Sequence, residues 1–287
     1  MKSLILPVLL CGFLSACAAL KPAPPPTQTP TTTQPPLPTP TATSTPRPTA
    51  TRVLPDTDTG WRPLRTGLEK REIDIIVNKR QVDHLFLLRI DPACFRFEVA
   101  YDAEHPHSIQ DWQKQTGALV VFNGGFFKVE KQRYLPAGLL VVDGQTFGES
   151  YTGFGGMFGV SSRGPDLRSL AQQPYQPGEP LQYALQSFPV LVKPGGLLGF
   201  PAQYEDNMLA RRTVIGRDRD GRFIAIVADS SYFTLYRLSV YLVDSDLNLD
   251  VALNLDGGPS SGIALAAPYM LVPATSFLPI VITVFPR

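Results

Sequence analysis

The chain is poor in the residues from which disulfide frameworks, metal centres and polyanion-binding surfaces are made. Its 287 residues include three Cys and three His. Two of the cysteines, Cys11 and Cys17, fall in the N-terminal segment, so Cys94 is left alone and no intrachain disulfide is expected. The fold therefore has to hold by its core. No cluster of His and carboxylates suggests paired metals, so neither a metal nor another cofactor is expected. An excess of charge is missing as well, with 26 Lys and Arg against 25 Asp and Glu. That balance argues against a nucleic-acid binder, which needs clustered positive charge to displace counterions. The longest early apolar run, Leu4 to Phe13, is too short to span a bilayer as a permanent helix.

What is abundant is proline, and it is concentrated. Residues 22–55 hold 12 Pro and 11 Thr among 34, with Arg47 and Arg52 as the charges. Such a stretch buries nothing and lacks many backbone donors, so it reads as an extended tether, part polyproline II. At roughly 3 Å per residue it could reach ~100 Å. Ahead of it, Met1, Lys2 and the apolar run form an export signal ending in Leu14, Ser15, Ala16 and Cys17. Small residues before a Cys resemble the bacterial lipobox, which implies diacylation of Cys17 and residence in the cell envelope, on the outer face of a membrane. The expected organisation is a signal peptide at 1–16, a lipid-anchored linker at 17–60 and a globular domain at 61–287.

The globular part reads as strands. Phe95, Phe97, Val99 and Tyr101 alternate with Arg96, Glu98 and Ala100, the period of a half-buried strand. Segments 72–77, 82–90, 118–122, 138–142, 213–215, 223–228, 251–255 and 279–285 read likewise. Two helices are expected. Ser108 caps one over 109–116, with Asp111 in its first turn and Gly117 after its end. Leu235, Leu238 and Leu242 carry helical spacing in another that runs to about Asp246. With no regular βα alternation, the expected class is α+β, a single domain on a large mixed sheet.

Three segments place polar groups where apolar strands end. Leu119 to Phe122 lead into Asn123, Gly124 and Gly125, where glycines can turn the chain and expose amides to an anion, or make a simple Gly-Gly turn. In 252–261, period-two alternation sets Asn254 and Asp256 opposite Leu253 and Leu255, followed by Gly257, Gly258, Ser260 and Ser261. In 211–229 a hairpin turning at Asp220-Gly221 leaves Arg212 and Asp229 at one end. Arg212 there can fork onto a phosphate or carboxylate, or pair internally with Asp229.

In this order the segments F-N-G-G-F-F (122–127), S-F-P-V-L-V-K-P-G (187–195), R-R-T-V-I-G (211–216), I-V-A-D (226–229) and A-L-N-L-D-G-G-P-S-S-G (252–262) resemble the phosphodiester glycosidase family, over roughly residues 73–285. The sequence departs from the family pattern in following Asp229 with Ser230 and Ser231 rather than Gly-Arg, and in placing Pro259 where a third Gly is common. The resemblance implies hydrolysis of a sugar 1-phosphodiester at its glycosidic C–O bond, on a surface glycan or glycopolymer. Phosphate leaves readily, so Arg212 and glycine amides would hold the developing anion while a carboxylate acts at the anomeric carbon. Asp256 is the first choice for that carboxylate and Asp229 the second. Asn123, Gly124, Gly125, Thr213, Asn254, Gly257, Gly258, Ser260 and Ser261 are the expected contacts to sugar or phosphate.

Other readings follow from the same residues. A serine hydrolase could use Ser260 or Ser261 with His105 or His107, although no nucleophile elbow surrounds either serine. Asp244, Asp246, Asn248 and Asp250 imitate the start of a calcium loop, but Leu249 takes its Gly position and Leu255 its bidentate acid. A non-catalytic module binding glycan or cell-wall polymer in the same cleft is the alternative of a different class.

Overall fold

The computed structural model describes residues 57–287; the expected signal peptide, Cys17 and most of the tether lie outside the described residues. In chain order the strands begin with β1 (Arg62–Arg65), β2 (Leu68–Val77), β3 (Arg80–Ile90) and β4 (Phe95–Tyr101). After helix α1 (Ile109–Thr116) come β5 (Val120–Asn123), β6 (Phe127–Glu130), β7 (Arg133–Pro136), β8 (Leu140–Val142), β9 (Gln145–Phe147) and β10 (Gly156–Ser161). Next are β11 (Gly164–Ser169), β12 (Leu181–Ser187), β13 (Val190–Lys193), β14 (Leu197–Leu198), β15 (Arg212–Asp218) and β16 (Phe223–Ala228). Helix α2 (Leu235–Asp244) precedes β17 (Leu249–Asn254), β18 (Ile263–Leu265), β19 (Met270–Val272) and β20 (Ile280–Pro286).

The β-rich reading holds, but the strands form three sheets and a ribbon rather than one large mixed sheet. An eight-stranded sheet runs β1-β2-β3-β16-β15-β17-β13-β14, and five-stranded sheets run β11-β10-β12-β8-β9 and β19-β18-β5-β20-β4. Neighbouring strands pair antiparallel, as in β16 on β3 (Phe223 opposite Ile90) and β15 on β17 (Val214 opposite Asn254). The alternation seen in β4 delivers Phe97 to the centre. There it meets Phe158 of β10 and Phe223 of β16, with ring centroids 5.1 to 5.8 Å apart. Each sheet thus contributes one fully buried ring to the shared core. Aromatic pairs at such separations add roughly 0.5–1.5 kcal/mol each beyond the area they bury.

The other face of the eight-stranded sheet is covered by α2, whose Leu238 and Leu242 pack on Val214, Ile226 and Ala252. Ser108 caps α1 as expected, its hydroxyl accepting the Asp111 N–H at 3.1 Å, and Gly117 closes the helix at φ +68°. Helix α2 stops at Asp244, two residues short of expectation. The Ser245 hydroxyl donates to the Leu242 carbonyl at 2.7 Å, and Asp246 is drawn 2.9 Å from Arg71. The folded part also starts earlier than residue 61. Thr59 N–H donates to Glu72 O at 3.0 Å, Asp74 N–H to Thr57 O at 2.7 Å, and Asp58 pairs with the buried Arg71. Among the described residues no helix is long and apolar enough to cross a membrane, and Cys94 is unpaired.

Candidate active site

The hairpin β15–β16 and strand β17 bring the candidate residues to one end of the eight-stranded sheet. Pairing of β15 with β17 continues past the last formal partners, with Leu255 N–H donating to Thr213 O and Gly258 N–H to Arg211 O, both at 2.8 Å. Asp256 therefore sits across from Arg212. Val214 and Ala252 face the α2 side, while Ile215 and Leu253 face the central core. The period of two then sets Arg212 and Asn254 on the α2 side, with Asp256 two residues beyond Asn254.

Arg212 is only 7% exposed. Its Nε donates to Phe233 O at 3.1 Å and its Nη2 to Met208 O at 2.7 Å, which fixes the guanidinium. Among the described residues no carboxylate lies within ion-pair distance; Asp206 and Glu205 act on it only from farther away, and burial lowers its pKa. Nη1 lies toward Gly257, where a β-carbon would be 3.9 Å from it. A buried, oriented cation with no carboxylate in contact is suited to an anion by its chemistry. Burial raises the Asp256 carboxyl pKa, opposed by hydrogen bonds from the Ser260 hydroxyl and from Gly257 N–H at 2.9 Å. Ser260 Oγ also lies 3.3 Å from Ser276 Oγ.

Several expected contact residues are turned inward. Asn123 is 1% exposed: its Oδ1 accepts from Thr213 Oγ1 at 2.7 Å and Gly262 N–H at 3.1 Å, and its Nδ2 donates to Asp256 O at 2.7 Å. Asn123 and the buried Thr213 thus lie beneath Asp256, in contact with each other. The expected open amides are mostly spoken for. Gly124 N–H donates to Ile280 O, Gly257 N–H to the Asp256 carboxylate and Gly258 N–H to Arg211 O. These glycines serve close approach instead. A β-carbon at 124 would lie 2.6 Å from Ile280 Cγ2, and one at Gly125 2.8 Å from Gln186 O. Only Gly258, at φ +57°, needs the left-handed region.

Asp229 lies one residue past β16, accepting from Ser230 Oγ at 3.1 Å, and the internal ion pair to Arg212 does not form because the register sets Ala228, not Asp229, opposite Arg212. Ser261 is fully buried and its Oγ has no partner. Neither Ser260 nor Ser261 bonds a histidine; His107 instead stands edge-on to Trp112 and 3.4 Å from Asp102. The acids of the calcium-like run are dispersed, Asp246 to Arg71 and Asp250 to Arg217 at 3.0 Å. The sequence reading missed the aromatic group that gathers around Phe188, although the S-F-P-V segment contains that residue; the Phe188 main-chain O accepts Asn254 Nδ2 at 2.9 Å.

A β-rich domain with a buried arginine opposite a half-buried aspartate across two paired strand ends has the makings of an anion-handling hydrolase. The family model of the phosphodiester glycosidases matches residues 116–277, and the chain belongs to that family. Among solved structures, it is similar to the zebrafish N-acetylglucosamine-1-phosphodiester alpha-N-acetylglucosaminidase catalytic domain auto-inhibited by its pro-peptide. That match has a TM-score of 0.61 and 19% identity, and covers 79% of this chain and 85% of that one. A hypothetical protein from Synechocystis gives 0.55 and 15%, covering 77% and 62% respectively. An exported protein from Burkholderia pseudomallei gives 0.55 and 12%, covering 71% and 74%. At these identities the likeness is one of fold. No curated protein matches the sequence significantly.

Proposed function

We propose that this protein hydrolyses a sugar 1-phosphodiester at the glycosidic C–O bond, releasing a reducing sugar and a phosphomonoester. The observation that carries the reading is the register that sets Arg212, buried with no carboxylate in contact, opposite Asp256 across the strand ends. A phosphodiester supplies the negative charge that Arg212 lacks, and more of it as the C–O bond breaks, so the guanidinium gains most at the transition state. The departing phosphate needs little protonation. Asp256 supplies the carboxylate at the anomeric carbon, in an environment where its charge is poorly solvated and so reactive.

The substrate is proposed to be part of a surface glycan or glycopolymer, with the protein held at the outer face of a membrane through an acylated Cys17. That part rests on the run Leu4–Phe13, the Leu14–Cys17 sequence and the Pro/Thr stretch. Turnover of hexopyranose and N-acetylhexosamine 1-(methyl phosphate) esters in heavy-oxygen water tests the chemistry. Label on the sugar hydroxyl is expected. Label on phosphate would make the enzyme a phosphodiesterase, and binding without turnover would make it a glycan-binding module.

A further inference from the structure

The reaction as drawn leaves unused a group of aromatic rings whose backbone is tied to the strand end that carries Asp256. Tyr151 and Phe154 are stacked with centroids 4.7 Å apart and planes at 28°. Phe188 stands edge-on to both, at 5.6 and 6.0 Å, and lies 4.6 Å from Phe126 on its other side. The group is braced yet open, with Phe154 50% and Phe188 38% exposed. Hydrogen bonds tie the backbone at Phe188 and the turn before Phe126 to the segment that carries Asp256. Asn254, two residues before Asp256, donates its Nδ2 to Phe188 O and its N–H to Pro189 O, at 2.9 and 3.0 Å. Phe126 follows the turn whose Gly124 O accepts Asp256 N–H at 3.0 Å.

Two further observations say what the rings are for. Strand order β15-β17-β13 sets Arg212 on one flank of Asp256 and the Phe188 segment, which enters β13, on the other. The polar atoms around the rings are short of partners. Tyr151 Oη, Ser187 Oγ and Asn254 Oδ1 are three of the six buried side-chain polar atoms among the described residues that make no hydrogen bond. Native interiors leave few such atoms. These atoms are closed off from the surface, so the capacity they leave lies beneath the rings, where enclosed water could take it up.

We propose that Phe188 and Phe154 form a platform for the pyranose ring of the substrate, with its 1-phosphate directed across Asp256 to Arg212. This rests on the phosphodiester glycosidase reading and orients the substrate within it. The C–H face of a pyranose, slightly positive, lies on the negative face of one ring while the other, its plane at 68° to the first, walls the side of the sugar, and the hydroxyls remain free for polar partners. The platform binds sugar and not phosphate, which separates its effects from those of Arg212.

Phe188→Ala and Phe154→Ala are to be measured with the same methyl phosphate esters, with inorganic phosphate as a competitor. The expected result is a KM raised about tenfold in each variant, kcat within about threefold and an unchanged phosphate inhibition constant, since ring contacts of this kind are made in ground and transition states alike. Phe188→Trp should retain the wild-type KM, and its indole emission should shift on adding free glucose, galactose, mannose or N-acetylglucosamine at saturating concentration. Turnover with KM unmoved in both alanine variants overturns the platform and leaves the hydrolase standing. A weakened phosphate inhibition constant in Phe188→Ala overturns the assigned orientation. If wild type turns over none of the esters while Phe188→Trp still responds to a monosaccharide, the reaction fails and the sugar platform stands.

Discussion

Replacing Asp256 by Asn separates a catalytic carboxylate from a structural one, because the two roles predict opposite changes in stability. In the folded protein the carboxylate accepts Gly257 N–H at 2.9 Å and the Ser260 hydroxyl, and burial still raises its pKa. Bonds to a charged acceptor stabilise by roughly 1.5–3 kcal/mol each, yet the direction of the shift says that loss of hydration outweighs them. Asn keeps the shape and one acceptor oxygen while removing the poorly hydrated charge. The expected change at neutral pH is therefore zero to about +1 kcal/mol, or up to about +4 °C in Tm for a domain of this size. The sign has a pH signature. With its folded pKa above the unfolded one, Asp256 binds its proton more readily in the native state, so its contribution is most favourable at low pH. That contribution is lost as pH rises from the ordinary aspartate value through the raised one. The stability gap between wild type and Asp256→Asn should close as the pH is lowered through that window. Activity behaves differently: kcat/KM should drop about a thousandfold, some 4 kcal/mol of transition-state stabilisation. Thermal denaturation from pH 3 to 8, alongside ester hydrolysis, reads both. An activity loss under tenfold in a folded variant, or a Tm lowered by more than about 8 °C, would refute the reasoning.

Arg212→Lys should keep the fold but weaken inorganic phosphate binding by about tenfold or more, because an ammonium cannot hold the Phe233 and Met208 carbonyls and fork onto an anion together; titration calorimetry checks it. Phe158→Ala removes the ring that touches both Phe97 and Phe223 and should cost roughly 3–5 kcal/mol in chemical denaturation. Ser108→Ala should cost about 1 kcal/mol through loss of the α1 cap. Cys17→Ala should move the protein from the membrane fraction to the soluble one on fractionation of expressing cells.

Local chemistry was legible and long-range partnership was not. Ser108 and Gly117 bound α1 correctly because a cap is made within a few residues, while the alternation of Phe95 to Tyr101 gave β4 its observed limits and the unbroken apolar run Phe223 to Ala228 gave β16 its own. Strands β10 and β12 escaped notice: G-M-F-G-V-S and L-Q-Y-A-L-Q-S are largely buried along their length and show no clean alternation. The division into three sheets depends on pairings such as β3 with β16, which nothing local specifies. At the site, alternation located Asn254 and Asp256, and the hairpin turn located Arg212. The internal bonds of Asn123 and Thr213 were not legible, because their partners lie far along the chain, 90 residues apart for one bond and 133 for another. The glycines carried a similar ambiguity, since a residue that frees an amide and one that permits close packing are written alike.

The three bonds of Asn123 join parts that belong to separate sheets. Its backbone belongs to β5, its carbonyl oxygen takes Thr213 of β15 and the Gly262 amide, and its amide nitrogen reaches the Asp256 carbonyl. Two sheets and the segment carrying the candidate carboxylate are thereby keyed at one buried point, and any sliding of one sheet over the other displaces Asp256. Precision at the site and cohesion between the sheets are then the same mechanical property. A core lesion far from Asp256, such as one in the triad of Phe97, Phe158 and Phe223, should blunt turnover at temperatures well below those at which the chain unfolds, and a ligand that bridges Arg212 and Phe188 should stiffen the whole domain from its end.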